Sequence, residues 1–511
     1  MNYKEYLEFQ NQLSQVEKFT ELINIKYEGF PLWYLLKDSL YFFLFYNFKT
    51  NTVSVIKKSN KLLLFVLNSY CNEIKFNIKF IVYKNNKNKL LFISNRNFKI
   101  NKNGYWIDPF WNDILINLSD KYDSVIINYN HGEKNYKKHL AYSEFGEYFI
   151  KNPIYNLSYY WKFKNRNDIK DKLNDLIQFF EKLNKDGIID DNLIVLLKKF
   201  LKSKYSSLKI YSILNEYRKS KKTLLLLQPK LIFITSVQGH LGIIAAAKEM
   251  HIPIIEYQHG IIDHNHPAYI YNENLKHDNR ILVPNYLFLF GEYWRKILIK
   301  NNFWNDEQLH EVGYLQASYI EKKKFAPENK KNEFNVLFTA QDVFHDEAFN
   351  YLKDFLSYIS IKPNNIILII KLHPRDPEAL NIYQKLYDQF PLKCKIISDN
   401  KTTIYDCFKE TKYHLTAYSN SLFEALSIGI PCATIHPLGY YYFDELIAEK
   451  GIGHFMSPID LSNYLEEISE NEELYSQLKQ NTSKYEDYFY KKYNLDNSLK
   501  IIDDIISKTE K

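Results

Sequence analysis

The stretch "EYQHGIIDHNHPAY", residues 256–269, holds three histidines, His259, His264 and His266, within eight positions. His240 and His251 lie just upstream, and the whole chain has 14 histidines. A histidine titrates near neutrality, so such a group can serve as a general base, as a metal ligand set, or as plain hydrogen-bonding loop residues. The spacing is wrong for zinc. His264 and His266 are two apart, His259 is five before His264, and no cysteine, carboxylate or H-E-x-x-H helix pattern accompanies them. No metal site is expected. A base at His259 and a structural loop histidine stay open, with His264 and His266 as acceptor-side loop residues.

Two further stretches carry groups suited to anions. In "KLHPRD", residues 371–376, Arg375 offers a planar donor fork for phosphate oxygens and His373 a ring N–H, while Pro374 and Pro377 stiffen the loop. The alternative is a solvated loop in which Arg375 pairs with Asp376 or Glu378. In "TAYSNSLFEALSIGIP", residues 416–431, Ser419, Asn420 and Ser421 stand where a helix begins. They can cap it, and its first N–H groups can receive an anion. Glu424 can accept hydrogen bonds from a ribose. It also lies three residues after Ser421, the spacing of a capping box. Two weaker candidates remain. "SNRNFKINKNGYWIDPFWNDIL", residues 94–115, contains Arg96 and Asp108, the latter a reserve base or a local helix cap. "SVQGHLG", residues 236–242, is a packing turn or an acceptor contact at a helix start.

These residues need elements to position them. "KLIFITS", "IPIIEY", "NYLFLFG" and "LHEVGY" read as buried strands, alternating with the helices "GHLGIIAAAKEM" and "EYWRKILIKNN". "NKLLFISNRN" and "DSVIINYN" are earlier strands of the same kind. The rhythm restarts with "FNVLFTA", "NIILIIKLHP", "KCKIIS", "YHLTA" and "IPCATIHP". Continuous apolar strands alternating with helices predict α/β architecture: two doubly wound, Rossmann-like parallel sheets. The expected division is a first domain over 1–320 and a second over 333–511. The first has a helical N-terminus and a helical insertion at about 135–225, and the second has a helical tail. Residues 319–334, charged with one proline, are the expected linker. Ligands of open parallel sheets bind at the carboxyl ends of the strands, and each motif falls at such an end. Two such domains facing each other predict a cleft, with His259 on one wall and His373 on the other.

Composition narrows the classes. The 511 residues and 46% hydrophobic content suffice for two or three well-buried cores. A net charge of +7, from 67 basic and 60 acidic residues, is mild and scattered. It permits contact with anionic lipid or phosphorylated substrates and is not a nucleic-acid footprint. Cys71, Cys394, Cys407 and Cys432 are far apart and form no CxxC pair, which argues against disulfides and for a reducing compartment. The polar start "MNYKEYLEFQNQLS" reads as no secretory signal, so a cytoplasmic location is expected. The most apolar run, residues 31–48, is interrupted by Lys37 and Asp38. It reads as a buried or amphipathic helix, or as a helix lying on a membrane surface.

At "YQHG", "KLHPRD" and "TAYSNSLFEALSIGIP" the sequence resembles bacterial glycosyltransferases of the two-domain GT-B type, over roughly residues 230–460. It is similar to Kdo-type capsule transferases and CDP-glycerol glycerophosphotransferases, and bacterial sialyltransferases share a His-Pro motif and a Ser/Thr pair. It departs from the glycerophosphotransferases in lacking a Trp before the His-Gly pair and the acidic residue of their "TDYSS". The resemblance implies His259 as base, His373 and Arg375 on donor phosphate, Ser419 and Ser421 as the hydroxyl pair, and Glu424 on the ribose. It implies metal-independent, inverting transfer in capsule, O-antigen or lipooligosaccharide synthesis, with no cofactor. The substrates would be a CMP-, CDP- or UDP-linked sugar and an oligosaccharide or lipid-linked acceptor. Peripheral contact with the inner membrane and with other polysaccharide-assembly enzymes goes with that role. Transfer from a CDP-polyol, sugar-nucleotide 2-epimerisation and a non-catalytic assembly role are the rival readings.

Overall fold

A computed structural model describes residues 3–49, 89–94, 98–102, 105–108, 110–128, 149–151, 168–314, 333–341, 344–373, 376, 379–399 and 401–509. Arg96, Arg375 and residues 319–332 of the expected linker at 319–334 lie outside them, as do residues 50–88; Phe334, the last residue of that expected linker, begins a strand. The chain divides into two compact units. One is Met1–Leu289, Arg295–Val312 and Asn494–Lys511; the other is Phe290–Trp294 and Gly313–Tyr493.

The first unit is built on a seven-stranded sheet. Its strands are β1 (Lys89–Ser94), β2 (Asp123–Asn128), β3 (Phe149–Lys151), β4 (Leu231–Ile234), β5 (Ile254–Tyr257), β6 (Tyr286–Leu289) and β7 (Leu309–Glu311). They lie in the order β7-β6-β5-β4-β1-β2-β3, and every pair is parallel. The chain therefore winds outward from β1 in both directions and switches at β1 and β4, the doubly wound topology. β4 and β5 are buried along their whole length, which is why they read as unbroken apolar runs. Phe92 stacks on Phe233 at 4.3 Å, and Trp111 packs edge-on against Phe233 and Tyr257. These rings fix β1, β4 and β5 against one another.

Helices Asp168–Lys185, Asp191–Leu201 and Lys204–Leu227 fall in the later part of the stretch expected to be a helical insertion at about 135–225; of its earlier part only residues 149–151 are described before 168, and they form the edge strand β3. Helix Leu32–Lys49 is a core element. Leu32, Trp33, Tyr34, Leu35, Leu36, Lys37, Ser39 and Leu40 are all buried, so its first turns present no free apolar face to a membrane. No helix among the described residues is long and apolar enough to cross a membrane.

The last helix, Leu495–Thr509, belongs to the first unit, not the second as its place in the sequence suggested. Ile502, Ile505 and Ile506 are buried, and Asp503 takes Lys121 at 2.7 Å and the Tyr122 hydroxyl at 3.1 Å. The exposed ion pair contributes little, so the isoleucine face holds the helix.

The second unit carries a six-stranded sheet. Its strands are β8 (Phe334–Thr339), β9 (Ile366–Lys371), β10 (Cys394–Ile397), β11 (Tyr413–Thr416), β12 (Cys432–Thr434) and β13 (Gly453–His454). The order is β10-β9-β8-β11-β12-β13, again all parallel, with the switch between β8 and β11. Val336, Phe338, Leu352, Phe355, Leu368 and Ile370 form the centre of one core cluster. Each such side chain contributes about 1.5–3 kcal/mol by leaving water.

The turn "SVQGHLG" is a packing turn. A Cβ on Gly242 would lie 2.5 Å from the Tyr217 backbone nitrogen and 2.6 Å from the Ile213 carbonyl oxygen. The Gly242 N–H donates to Glu216 Oε2 at 3.0 Å, so the start of helix Leu241–Glu249 already holds an anion. Gly242→Ala is expected to cost about 1–3 kcal/mol, because the obstructing atoms are backbone. Urea unfolding of the two proteins measures it, and an unchanged midpoint would contradict this packing.

Candidate functional site

In the first unit the chemistry collects after β5. Glu256 stands on β5 among apolar residues and is fully buried. Its Oε1 accepts the Tyr269 hydroxyl at 2.6 Å and the Val237 N–H at 3.0 Å, while among the described residues Oε2 makes no hydrogen bond. Burial pushes its carboxyl up to about 7, against the opposing pull of those two donors. His259 follows three residues later, 14% exposed, with Nδ1 3.8 Å from Glu256 Oε1. Gly260 is not what turns the chain here. Its backbone is outside the left-handed region and a Cβ would meet open space. The turn is held by the Gln258 side chain, whose Nε2 donates to the Gly260 carbonyl at 2.9 Å, and Gln258 N–H is anchored on Phe288 O of β6.

The other two histidines are not equivalent to His259. His266 Nδ1 accepts the Ala268 N–H at 3.3 Å and its ring packs on Tyr269 at 4.7 Å. Burial, with repulsion from His259 and Lys37, pushes it down to about 3, so its ring is neutral. His264 sits in the turn that Asp263 caps by accepting the Asn265 N–H at 2.8 Å. Lys37 reaches this loop from the N-terminal helix. Its ammonium donates to Glu17 Oε2 and to the Ile270 carbonyl, both at 2.8 Å, and lies 4.5 Å from the centre of the Tyr271 ring. Trp33 Nε1–H donates to the other Glu17 oxygen at 3.1 Å. Asp108 is buried and accepts the N–H groups of Phe110 and Trp111 at 2.9 and 3.3 Å, a local turn ahead of helix Asn112–Leu118.

In the second unit the polar groups gather at the switch between β8 and β11. Gln341, just past β8, accepts the Tyr418 N–H at 3.0 Å, and Thr416 Oγ1 accepts the Ser419 N–H at 3.2 Å. Ser419 Oγ accepts the Ser421 N–H at 3.3 Å. Asn420 is exposed at the start of helix Ser421–Ser427 and makes no side-chain cap. Ser421 differs from its neighbours. It is buried, and its hydroxyl turns inward to Thr339 Oγ1 at 2.9 Å and His414 Nε2 at 3.4 Å. This tie joins the helix to β8 and β11 in place of a contact at the surface.

Glu424 forms no capping box. Its Oε1 accepts the Tyr405 hydroxyl at 3.0 Å, and burial pushes the carboxyl up to about 7. A carboxyl that keeps its proton to about 7 when folded, against 4.5 as its ordinary value, binds that proton more tightly in the native state. Its stabilising contribution is full below about 4.5 and lost as pH rises to about 7. Glu424→Gln is therefore expected to flatten the fall in stability over that window, measured as the urea midpoint against pH. An unaltered slope would contradict the burial of Glu424.

His373 follows β9, and its carbonyl accepts the Asp376 N–H at 3.0 Å. Asp376 pairs with His345 at 2.7 Å. An aromatic group lines the same strand ends. Phe344 stacks on His436 at 4.5 Å and Tyr418 on Tyr442 at 5.5 Å. Phe344 holds a left-handed backbone, φ 59°, which is strained for a phenylalanine and marks the loop after β8. Sequence reading missed Glu256, Gln341, Thr339 and Phe344. A lone carboxylate inside an apolar strand was the available signal for Glu256.

Among the described residues, no group of three or more His, Cys, Asp or Glu could hold a metal ion. No family model matches the sequence, and no curated protein matches it. Solved structures do. A UDP-GlcNAc 2-epimerase from Neisseria meningitidis bound to UDP-GlcNAc is similar at 14% identity and a TM-score of 0.44, over 82% of this chain and 100% of that one. The lipopolysaccharide outer core galactosyltransferase WaaB is similar at 12% identity and 0.40, over 82% and 99%. The wall teichoic acid polymerase TagF is similar at 12% identity and 0.38, over 89% and 99%.

Proposed function

We propose that this chain is a nucleotide-sugar-dependent, inverting glycosyltransferase that acts in the assembly of bacterial surface polysaccharide. One observation carries the reading. The chain carries both a histidine at a strand end of one doubly wound unit and a hydroxyl- and amide-rich turn at the switch point of the other. Switch points of open parallel sheets are where nucleotides bind. In this reading the donor nucleotide lies on the second unit, with Ser419, Asn420, His373 and Arg375 on its phosphates and Glu424 on its ribose. His259 removes the acceptor hydroxyl proton. The oxygen then attacks the anomeric carbon and the nucleoside phosphate leaves, its growing charge met by those donors.

Sugar-nucleotide 2-epimerisation is the second reading. Glu256, a fully buried carboxyl pushed up to about 7, is the observation that favours it, since such a group can exchange a proton with carbon acids.

Calorimetry with UDP, CMP, CDP and GDP and their sugars tests nucleotide binding. One base series is expected to bind the wild type. Ser419→Ala combined with Asn420→Ala is expected to weaken it about 10-fold for each charge-assisted hydrogen bond lost. Failure of all four series to bind would sink both readings and leave a non-catalytic assembly role.

A further inference from the structure

We propose that the first unit holds a second binding site, at the amino ends of β5 and β6, for a small organic anion with one carboxylate, phosphate or sulfonate head on an apolar body. The site goes beyond the reading of His259 and does not depend on it.

A cavity of about 660 Å³ lies at that end of the sheet, a size that suits a drug-sized organic molecule. Pro253 leads into β5 and Asn285 into β6, and both line it. The two strands are parallel, so the cavity opens at the end of the sheet opposite the loop that carries His259. The turn Glu28–Gly29 and the end of helix Leu241–Glu249 close its sides. Phe30 and Tyr217 meet edge to face at 5.1 Å and, with Ile252, Pro253 and Leu282, give it apolar walls.

The charges around this cavity are uneven. The carboxylates that line it are already matched: Glu28 pairs with Arg218, and Glu249 accepts from Lys221 at 2.6 Å and from the Tyr217 hydroxyl at 2.5 Å. Asp278 is held by Arg280, through Nε at 2.8 Å and Nη2 at 2.5 Å. Lys248 has no such partner. Its ammonium makes one hydrogen bond, to the Ile281 carbonyl at 2.7 Å, and pairs with no carboxylate among the described residues. Two of its N–H groups are left for a ligand. The Arg280 fork keeps Nη1 in reserve. The Asn285 amide oxygen accepts the Ile254 N–H at 3.0 Å, so its NH₂ points away from that bond. Donors therefore outnumber acceptors here, and one positive charge is unmatched, the polarity that selects an anion.

Lys248 is not required by its own helix. A cation in a last turn can serve the helix end, but those carbonyls already have backbone partners. Met250 N–H donates to Ala246 O and Ala247 O, His251 N–H to Lys248 O, and Ile252 N–H to Ala247 O. Burial pulls the Lys248 ammonium down to about 8, with Asp278 opposing, so keeping it charged here has a cost that a bound anion would offset.

The probe is 8-anilinonaphthalene-1-sulfonate, with N-phenyl-1-naphthylamine as the same aromatic body without the charge. Fluorescence titration of the full chain is expected to show the sulfonate binding about 10- to 100-fold more weakly to Lys248→Met than to wild type, and the uncharged amine binding both alike. Equal sulfonate affinities, or equal losses for both probes, overturn the proposal. A second measurement needs no substitution and serves where Lys248→Met does not fold. Saturating sulfonate is expected to slow acetylation of Lys248 by acetic anhydride several-fold, read by mass spectrometry, and to leave Lys362 of the second unit unchanged. Equal Lys248 rates with and without the probe overturn the site. Competition by 1-naphthyl phosphate or 1-naphthoate identifies the head group the site takes, and displacement by neither overturns it. A chain that binds the sulfonate at Lys248 but no nucleotide keeps this site and loses the glycosyltransferase reading; the reverse outcome loses this site alone.

Discussion

His259→Ala is expected to lower turnover by about 10²- to 10⁴-fold while nucleotide affinity stays at the wild-type value. The split follows from where the groups lie. His259 is on the first unit, at the end of β5, and the phosphate-binding candidates are at the β8–β11 switch of the second. Removing a base raises the barrier of the step in which the acceptor proton moves, and it takes no contact from the nucleotide. Turnover is read as release of nucleoside phosphate, and affinity by calorimetry. Turnover within a few-fold of wild type would contradict the assignment, and Asp108 would then be the next residue to replace.

Breaking the buried ion pair below the loop is expected to have the largest effect on stability. Lys37 and Glu17 are 3% and 7% exposed and 2.8 Å apart, so neither charge has water to fall back on. Burial pulls the Lys37 ammonium down from its ordinary value, and Glu17 opposes that pull. Glu17→Leu leaves that charge uncompensated and is expected to cost about 3–5 kcal/mol. Combined with Lys37→Met, which removes the stranded charge, the loss should be smaller than in Glu17→Leu alone. Urea unfolding of Glu17→Leu, Lys37→Met and the double variant measures both figures. Additive losses would mean that the pair does not act as one. Lys37 also donates to Ile270 O, so the variants that carry Lys37→Met are expected to loosen the loop that carries His259 even where the protein stays folded.

Much of the architecture was readable from the chain. "KLIFITS", "IPIIEY", "NIILIIKLHP" and "IPCATIHP" are unbroken apolar runs because both faces of their strands are covered. The strand ends then located His259, His373 and Ser419–Ser421 without further information. What escaped has physical reasons. β13 is two residues long and β3 three, too short for any pattern to show. The last helix follows the second unit in sequence but packs on the first, because its isoleucine face matches a surface there and periodicity does not say which surface. The turn after His259 is held by the Gln258 side chain, which no spacing in the sequence announces. Glu256 was passed over as part of a strand, and Ser421 was read as a cap or as one of a hydroxyl pair for donor phosphate although it ties the helix to Thr339 and His414. Both errors have one source. Sequence shows that a polar residue stands in an apolar context, and only the fold shows whether its partner is a ligand or a neighbour.

The central claim is that the chain transfers a sugar from a nucleotide to an acceptor. Incubating it with the nucleotide sugar selected by calorimetry, with and without a panel of oligosaccharide and lipid-linked acceptors, tests this most directly. The account predicts release of nucleoside phosphate only with an acceptor present, matched by an equal amount of lengthened acceptor with inverted anomeric configuration. Interconversion of the nucleotide sugar in the absence of any acceptor would contradict it.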